Sequence, residues 1–322
     1  MRKLRRLALI GAALSLLCSV AAAQPRPASI RFLVPYPAGG AGDQITRLIA
    51  HDTSLILGVP ITIDNKAGAA GMIAAEAALR AEADGSTFFV GSNAPLVINP
   101  ALYAKMPYDP EKDFVPVAGL GRSPLLLVTR KDLGATTVAG LIALASKTSS
   151  GFTMGSAGSG NITHLAGEGA SRLMGFKVTH VPFGGSAPAM TNMMGGNIDI
   201  MFDALPSSLQ QARAGRIVPL AILAPSRFPL LPKVPTLTEA GFPGIDASAW
   251  FGVVARTGTP RSAVDRLNKA VNEALSQPQL LEKLHNIGAE PLPGTPEQFG
   301  RLMADERARW LPLARSLQLK AD

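Results

Sequence analysis

Two glycine-rich stretches have the residue types and the spacing of an anion-binding turn. The first is PYPAGGAGDQ (35–44), and the second is GSAGSGNITHLAGE (155–168). Each follows a short apolar run and precedes an amphipathic one, which predicts a strand, a tight turn and a helix. The first turn of a helix carries unpaired amide groups and a partial positive charge. Both stretches are therefore candidates for binding a carboxylate or another small anion.

The first stretch also fits an ordinary connecting turn, in which the glycines serve backbone geometry and Asp43 caps the helix. It has no Lys-Ser or Lys-Thr pair after the glycines, so it is not an ATP phosphate loop. It also lacks the full Gly-x-Gly-x-x-Gly spacing of dinucleotide-binding proteins. In the anion-binding interpretation, Ala38, Gly39 and Gly40 present backbone amides to a carboxylate, and Tyr36 forms a wall of the site.

Polar residues at other predicted strand ends extend the candidate site. Ser92 and Asn93 follow the strand STFFVGS, in a stretch (91–100) that we expect to be a loop. Asp203 ends the strand IDIMFD, where it either receives a ligand ammonium group or caps the next turn. Ligands of open α/β sheets lie at the carboxyl ends of the strands, so these residues are expected to share one cleft with the two turns.

Hydrolysis of a small ester by a serine nucleophile is the alternative function. Ser156, Ser159 or Ser186 would be the nucleophile, with His164 or His180 as the base. The stretch GGSAP resembles a Gly-x-Ser-x-Gly elbow but ends in proline, and both histidines are more typical of structural positions. No spacing of His, Cys, Asp and Glu is typical of a metal site. We therefore expect no catalytic residue, no metal and no cofactor.

The first 23 residues have the pattern of a secretory signal peptide. They open with four basic residues, continue as LALIGAALSLL and end in AAA (21–23), which predicts cleavage after Ala23. Cys18, the one cysteine of the sequence, lies inside this segment, so disulfides and a cysteine nucleophile are excluded from the mature chain. Removing four basic residues lowers the net charge from +8 to +4. The remaining charges are scattered, which argues against nucleic-acid binding.

The rest of the chain alternates strand and helix patterns, which predicts an α/β fold with parallel-rich sheets flanked by helices. About 300 residues favour two domains. The helical tail needs a sheet to cover, so we expect it to pack on the first domain. The predicted lobe 1 is discontinuous, comprising 24–125 and 247–322, and lobe 2 comprises 126–246. Two chain crossings between the lobes would act as a hinge.

Several motifs, in order along the chain, resemble the Bug-type receptors of tripartite tricarboxylate transporters. They are PYPAGGAGDQITR (35–47), IDNKAGAAG (63–71), NPALYAKMPYDPEKDFVPV (99–117), SAGSGNITHLAGE (156–168), HVPFGGSAPAMTNMMGGNIDIMFD (180–203) and VPTLTEAGFPG (234–244). The resemblance implies a two-lobed, type II-like periplasmic binding protein that performs no chemistry on its ligand. It further implies a periplasmic location, a small organic carboxylate as ligand and the permease subunits of such a transporter as partners. A monomer is the expected state of a receptor that must close.

The resemblance also assigns the candidate ligand-binding residues. They are Tyr36, Pro37, Ala38, Gly39, Gly40, Asp43, Ser92, Asn93, Ser156, Ala157, Gly158, Ser159, His164, Phe183, Gly184 and Asp203. The sequence departs from the family pattern at Ser86, where a tyrosine is usual. It departs again at Phe183, Gly184 and Gly185, where Tyr-Lys-Gly is usual. The second departure removes a hydroxyl group and an ammonium group from the expected distal end of the ligand.

Overall fold

The computed structural model describes residues 27–148 and 150–319. The predicted signal peptide (1–23), with Cys18 and the cleavage site after Ala23, lies outside the described residues. Among the helices of the described ranges, none is long and apolar enough to span a bilayer.

One continuous, mixed sheet forms the framework. Its strands are β1 (Ile30–Val34), β2 (Ile61–Asn65), β3 (Thr87–Ser92), β4 (Phe114–Arg130), β5 (Phe152–Ser156), β6 (Val178–Pro182), β7 (Ile200–Ala204), β8 (Ile217–Ile222), β9 (Ser248–Arg256) and β10 (Glu290–Pro291). The order is β2-β1-β3-β9-β4-β7-β5-β6, and β8 and β10 also pair with β4. Strands β1, β2 and β3 are parallel, as are β5, β6 and β7.

Helices lie between most of the strands and flank the sheet. They are α1 (Ala41–Leu57), α2 (Met72–Arg80), α3 (Asn99–Leu102), α4 (Val138–Ala145), α5 (Ile162–Leu173), α6 (Ser186–Met194), α7 (Leu205–Arg213), α8 (Arg261–Ala274), α9 (Pro278–Asn286) and α10 (Pro296–Ser316). Short helical turns occupy Ala69–Gly71, Ala94–Ile98 and Lys131–Leu133. The predicted α/β class, with parallel-rich sheets and flanking helices, is confirmed.

Strand β4 joins two halves of the sheet because it changes partners along its length. Residues 114–124 pair with β9, and residues 125–130 pair with β7 and β8. The chain crosses back at Ala247, which bonds to Leu125 of the second half, while β9 begins at the next residue in the first half. We call β1–β3, β9, β10 and the start of β4 the first sheet half, and β5–β8 with the end of β4 the second. The lobe boundaries at 125/126 and 246/247 stay a prediction.

One sequence prediction about local structure is wrong, and another is correct in type but too short. The expected loop at 91–100 is largely helical, because Ala94–Ile98 and α3 follow β3 directly. The strand expected at 124–130 begins ten residues earlier, at Phe114. Its first part contains Pro116 and two glycines, which weaken a strand pattern, and the structure accommodates them with register shifts against β9. The strand could be continuous only because β9, far along the chain, pairs with it.

Apolar burial explains the strands and the helix faces. Strand β1 reads IRFLV, and four of its five residues are buried, as expected of a parallel strand covered on both faces. On α1, Ile45 and Ile49 are fully buried at helical spacing. The predicted capping box at the start of α10 is confirmed: the Thr295 hydroxyl accepts from the Gln298 amide, and the Gln298 side chain accepts from the Thr295 amide.

Candidate functional site

Two adjoining cavities lie between the sheet halves at the glycine-rich turns, and they share Tyr36 and Ala157. The small cavity has a volume of about 20 Å³ and is lined by Tyr36, Gly40, Ala41, Gly42, Ser92, Asn93, Ala157, Asn161, Ile162, Thr163, Ser186, Ala204, Ala249 and Phe251. The large cavity has a volume of about 270 Å³ and is lined by Pro35, Tyr36, Gly68, Ala69, Ala70, Gly71, Tyr103, Ala157, Gly158, Ser159, Pro182, Phe183 and Gly184.

Four helices begin at the small cavity. Ala41 and Gly42 open α1, Ile162 and Thr163 open α5, and Ser186 opens α6. The fourth helix, α7, starts one residue after Ala204, which also lines the cavity. The first helix belongs to the first sheet half and the other three to the second. Their positive ends therefore converge on one point from both halves.

Neither cavity has a Lys, Arg, His, Asp or Glu side chain in its lining, as far as the described residues go. The groups of the small cavity that can stabilise a negative charge are therefore helix ends, amide groups and hydroxyl groups. An anion held there would be bound by fixed dipoles, with hydroxyl and amide side chains completing its hydrogen bonds. The arrangement suits a carboxylate.

Tyr36 joins the two halves at the small cavity. Its hydroxyl lies 2.6 Å from the Ser92 hydroxyl of the first half and accepts from the Asn161 side-chain amide of the second half, at 3.1 Å. Its ring packs edge-on against Phe251. Burial raises the pKa of Tyr36 to about 12, so the phenol stays neutral and serves as a hydrogen-bonding group.

In the first glycine-rich turn, two of the expected amide donors have partners within the turn. The Gly39 amide donates to Asp43 Oδ2 at 3.0 Å, and the Gly40 amide points to the Pro37 carbonyl at 3.4 Å. Asp43 is not the N-cap, because α1 is capped by Gly40 and Asp43 lies in its first turn. The amides that remain at the cavity wall belong to the first turn of the helix, at Ala41 and Gly42.

Asp43 has a structural role in this turn. Besides the Gly39 amide it accepts from Arg47 Nε at 2.8 Å and from Asn65 Nδ2 at 2.9 Å. Burial alone would raise the pKa of Asp43, but the bonds from Arg47, Gly39 and Asn65 lower it overall. The carboxylate therefore stays ionised and fixes the shape of the turn.

The second glycine-rich turn is likewise held by its own side chains. The Ala157 amide donates to Thr163 Oγ1 at 2.9 Å, and the Gly158 amide to Ser156 Oγ at 3.1 Å. Asn161 caps α5 through a bond from the Thr163 amide to its side-chain oxygen, at 3.1 Å. Ser156 has no exposed surface, so its hydroxyl supports the turn from behind. Ser159 lines the large cavity.

His164 and His180 stack behind the second turn, with ring centroids 3.6 Å apart. His164 Nδ1 accepts from the Gly160 amide, and His180 Nε2 lies 2.6 Å from Ser156 Oγ. Burial, together with the neighbouring His180, lowers the pKa of His164 to about 3, and burial lowers that of His180 to about 4. Both rings are neutral near pH 7 and act as supports of the turn.

Asp203 is fully buried beside Ser186 and Ser207. Its Oδ2 accepts a hydrogen bond from Ser207, and its Oδ1 has no partner among the described residues. Burial raises the pKa of Asp203 to about 6, against opposing hydrogen bonds from Ser186 and Ser207. Ser186 lines the small cavity and Asp203 does not, so the carboxyl group lies behind the cavity wall.

A strained turn forms part of the large cavity. Ala69 and Ala70 have φ values of 44° and 50°, in the left-handed region that non-glycine residues avoid. Each costs about 1–2 kcal/mol relative to ordinary backbone. Strain of this kind collects at ligand sites. The turn belongs to the motif IDNKAGAAG, which the sequence analysis did not assign to the site.

The structure brings nine of the sixteen predicted residues to a cavity wall. They are Tyr36, Gly40, Ser92, Asn93, Ala157, Gly158, Ser159, Phe183 and Gly184. The other seven line neither cavity: Pro37, Ala38, Gly39, Asp43, Ser156, His164 and Asp203. Of these, Pro37 still touches the second half, since a Cβ added at Gly185 would lie 2.5 Å from its Cδ.

Sequence reasoning missed part of both linings. In the small cavity it missed the helix-start residues Ala41, Gly42, Ile162 and Thr163, although the strand-turn-helix pattern points to them. Phe251 and Ala249 lie on β9, far from any glycine-rich turn, and no local signal marks them. In the described part of the chain, no group of three or more His, Cys, Asp or Glu side chains is placed to hold a metal ion.

Known proteins with similar sequences and structures match nearly the whole chain. BugT of Bordetella pertussis is 34% identical over 292 residues, covering 90% of each protein. An R. palustris protein solved with adipate is 37% identical, with a TM-score of 0.88 over 91% of this chain and 98% of the other. MatC from Rhodopseudomonas palustris, solved with bound malate, is 33% identical, with a TM-score of 0.84 over 89% and 98%.

These similarities confirm the predicted periplasmic binding protein fold. The structural relatives include BugD, described as a periplasmic binding protein, which is 28% identical with a TM-score of 0.87. A family model described as "Tripartite tricarboxylate transporter family receptor" matches residues 45–319. The resemblance to Bug-type receptors is thereby confirmed, and the chain belongs to the tripartite tricarboxylate transporter receptor family.

Proposed function

We propose that this protein is a periplasmic receptor that binds a small organic carboxylate between two lobes and delivers it to the permease of a tripartite tricarboxylate transporter. The observation that carries the proposal is the convergence of four helix N-termini, from both sheet halves, on a cavity without charged side chains. Such a site favours a carboxylate over a neutral or cationic ligand.

The relatives support the same ligand class. One R. palustris protein was solved with adipate, and MatC was solved with malate. Both ligands are small dicarboxylates. In this chain Phe183 and Gly184 line the large cavity where the family pattern has a tyrosine and a lysine. The ligand's distal part would therefore meet apolar and backbone groups, and acids with one carboxylate belong in any screen beside dicarboxylates.

Binding requires the lobes to separate. A volume of about 20 Å³ accommodates roughly one water molecule. The carboxylate group alone is larger than one water molecule, so we expect the halves to part to admit the ligand and to close again around it. The two crossings, within β4 and at Ala247, are where the chain would bend. Closure stabilised by the ligand is the usual mechanism of such receptors.

Ester hydrolysis is less well supported. Ser156 lies 2.6 Å from His180 Nε2, which is a nucleophile-base distance. However, Ser156 is fully buried, and its hydroxyl already contacts Gly158 as well as His180. A substrate would have no access to that oxygen. A receptor without turnover fits the geometry better, and failure to hydrolyse a panel of small esters is the expected result.

A thermal-shift screen tests the ligand class. Protein unfolded in denaturant and refolded, to remove bound ligand, would be melted with adipate, malate, hexanoate and benzoate. A ligand at 100 times its dissociation constant adds about 2.7 kcal/mol, which corresponds to a rise of about 4 °C in Tm for a chain of this size. A rise with one or more acids supports the proposal. No rise with any acid, and no heat in calorimetry, would refute it.

Transport and sensing predict the same binding, so a separate experiment distinguishes them. Deletion of the permease genes should abolish uptake of the identified acid while leaving the receptor's affinity unchanged. Uptake that persists without the permease, with expression of other genes responding to the acid, would favour a sensor. Recovery of the mature chain in the periplasmic fraction would test the proposed location.

A further inference from the structure

One oxygen of Glu306, on α10, accepts three hydrogen bonds. Its Oε2 lies 2.8 Å from Asn93 Nδ2, 2.9 Å from Trp250 Nε1 and 3.0 Å from Trp310 Nε1. All three donors are almost fully buried, with 1–3% of each residue exposed. Trp250 and Trp310 are the only two tryptophans of the sequence. A carboxylate is the one ordinary side chain that accepts without donating, so it suits three converging donors.

Asn93 connects this cluster to the candidate site. It lines the small cavity next to Ser92, which contacts Tyr36. Its Oδ1 accepts from the Trp250 amide at 3.1 Å, and its Nδ2 donates to Glu306. The two bonds determine which end of the side-chain amide faces Glu306, and so fix the orientation of Asn93 at the cavity wall.

Trp250 connects the cluster to the chain crossing. It lies three residues after Ala247, which is bonded to Leu125 and Leu223 of the second half. From Ser248 onward the chain pairs with the first half, through β4. The indole bond to Glu306 therefore anchors the first residues beyond the crossing to α10. A movement of the chain at the crossing would therefore displace Glu306 and Asn93 together.

We infer that Glu306 is a positioning residue for the ligand site: through Oε2 it orients Asn93 in the small cavity and ties the Trp250 segment to α10. The inference rests on the proposed function, because it assigns Glu306 a role in ligand affinity without contact with the ligand. Glu306 lies outside the lining of the small and the large cavity, and with Trp250 and Arg309 it lines a third cavity of about 550 Å³. No sequence motif used for the site includes it.

The first test compares Glu306→Gln with Asp305→Asn by calorimetry. Glutamine keeps the size of the side chain and removes the charge that strengthens three hydrogen bonds. Asp305 is the neighbouring residue on the same helix, is exposed, and undergoes the same loss of charge. With an acid that binds the wild type, Glu306→Gln should weaken binding by about tenfold, and Asp305→Asn should not change it. Equal affinity of Glu306→Gln and wild type would overturn the inference.

A double-mutant cycle separates positioning from general stabilisation. If Glu306 acts through Asn93, the loss caused by Glu306→Gln should largely disappear in an Asn93→Ala background. If it only stabilises the fold, the two losses should add, and the inference would be overturned. A wild type that binds none of the acids refutes the proposed function, and the inference is then decided by a measurement without ligand.

That measurement is the NMR spectrum of the side-chain N–H groups. Donors to a carboxylate resonate downfield of donors to a neutral acceptor, and two indole signals are easily assigned in a chain with two tryptophans. Glu306→Gln should move both indole signals and the Asn93 side-chain amide upfield, while Asp305→Asn leaves them in place. An unmoved Asn93 signal in Glu306→Gln would contradict the inference, whether or not a ligand is known.

Discussion

Asp203 is a carboxyl group whose protonation the fold controls. Burial raises its pKa from 3.8 to about 6, so the folded protein binds this proton more tightly than the unfolded chain. Stability from this group is present below about pH 4 and is lost as the pH rises toward 6. The shift corresponds to about 3 kcal/mol. The neutral form suits a carboxyl group whose Oδ1 lacks a partner among the described residues.

Asp203→Asn should remove this pH dependence. Compared with wild type, the variant should gain up to about 3 kcal/mol in unfolding free energy between pH 4 and pH 7, since the buried charge is gone. Urea unfolding across that range measures the difference. Burial lowers the pKa values of His164 and His180, so their contribution to stability rises with pH, opposite to that of Asp203. The variant and the wild type are therefore compared at each pH, with Asp305→Asn as control. Parallel curves for wild type and Asp203→Asn would contradict the prediction.

Gly184 offers a test of ligand preference. It lines the large cavity, and an added Cβ would have no heavy atom within 4 Å. Gly184→Lys places an ammonium group there, as in the usual family pattern. We expect the affinity for adipate relative to hexanoate to rise about two- to fivefold, the size of an exposed ion pair. Gly184→Gln, with a long neutral side chain, is the control, and the same ratio in both variants would refute the expectation.

At the scale of single residues, the sequence did not indicate reliably which side chains face the cavities. Asp43, Ser156 and His164 were expected to bind the ligand, but each bonds within its own turn and lines neither the small nor the large cavity. Asp203 lies behind Ser186. Which face of a turn a side chain takes depends on partners brought by other strands, and a local pattern carries no information about them.

Among the elements, α1 is the helix of the first sheet half that begins at the small cavity. Gly42 lies in its first turn, and an added Cβ would lie 2.7 Å from Phe251 and 3.0 Å from Tyr36. Gly42→Ala would therefore crowd the cavity. We expect ligand affinity to fall about tenfold or more, and the free protein to lose about 1–3 kcal/mol of stability, because both rings pack against α1 within the same sheet half.

Calorimetry and melting curves check this prediction. Gly140→Ala is the control, since it adds the same methyl group within α4 and away from both cavities. Unchanged affinity in Gly42→Ala would mean that the ligand does not bind at the start of α1.

Elements with strong local signals were predicted well. The capping box of Thr295 and Gln298 and the apolar face of α1 depend on neighbours in sequence. The first part of β4 and the helical run after Asn93 did not show in the sequence. The former contains proline and glycine and is held by pairing with β9, more than 100 residues away. Tertiary pairing overrode local preference there.

For the whole molecule, Pro37 of the first sheet half and Gly185 of the second are in close contact, with no room for a further methyl group between them. A Cβ at Gly185 would lie 2.5 Å from Pro37 Cδ, so Gly185→Ala should prevent full closure. Wild type should become more compact in small-angle scattering when saturated with a bound acid, and Gly185→Ala should compact less. Gly195→Ala, at the other end of α6, is the control. Equal compaction in all three proteins would contradict this account of closure.

The site as a whole was only partly predictable because it joins distant parts of the chain. Tyr36 meets Ser92 and Asn161, which are 56 and 125 residues away in sequence. The glycine-rich turns at strand ends indicated where the cavities lie. Phe251 lines the small cavity from β9, and Glu306 on α10 accepts a hydrogen bond from Asn93; both come from parts of the chain far from the glycine-rich turns.

The central claim is that helix ends from both halves bind one carboxylate, and amide chemical shifts test it most directly. In a ¹⁵N-labelled, ligand-free sample titrated with the acid found in the screen, the amides of Ala41 and Gly42 and those of Ile162 and Thr163 should shift together, with one dissociation constant. Shifts confined to one half, or centred on residues outside both cavities, would contradict the claim.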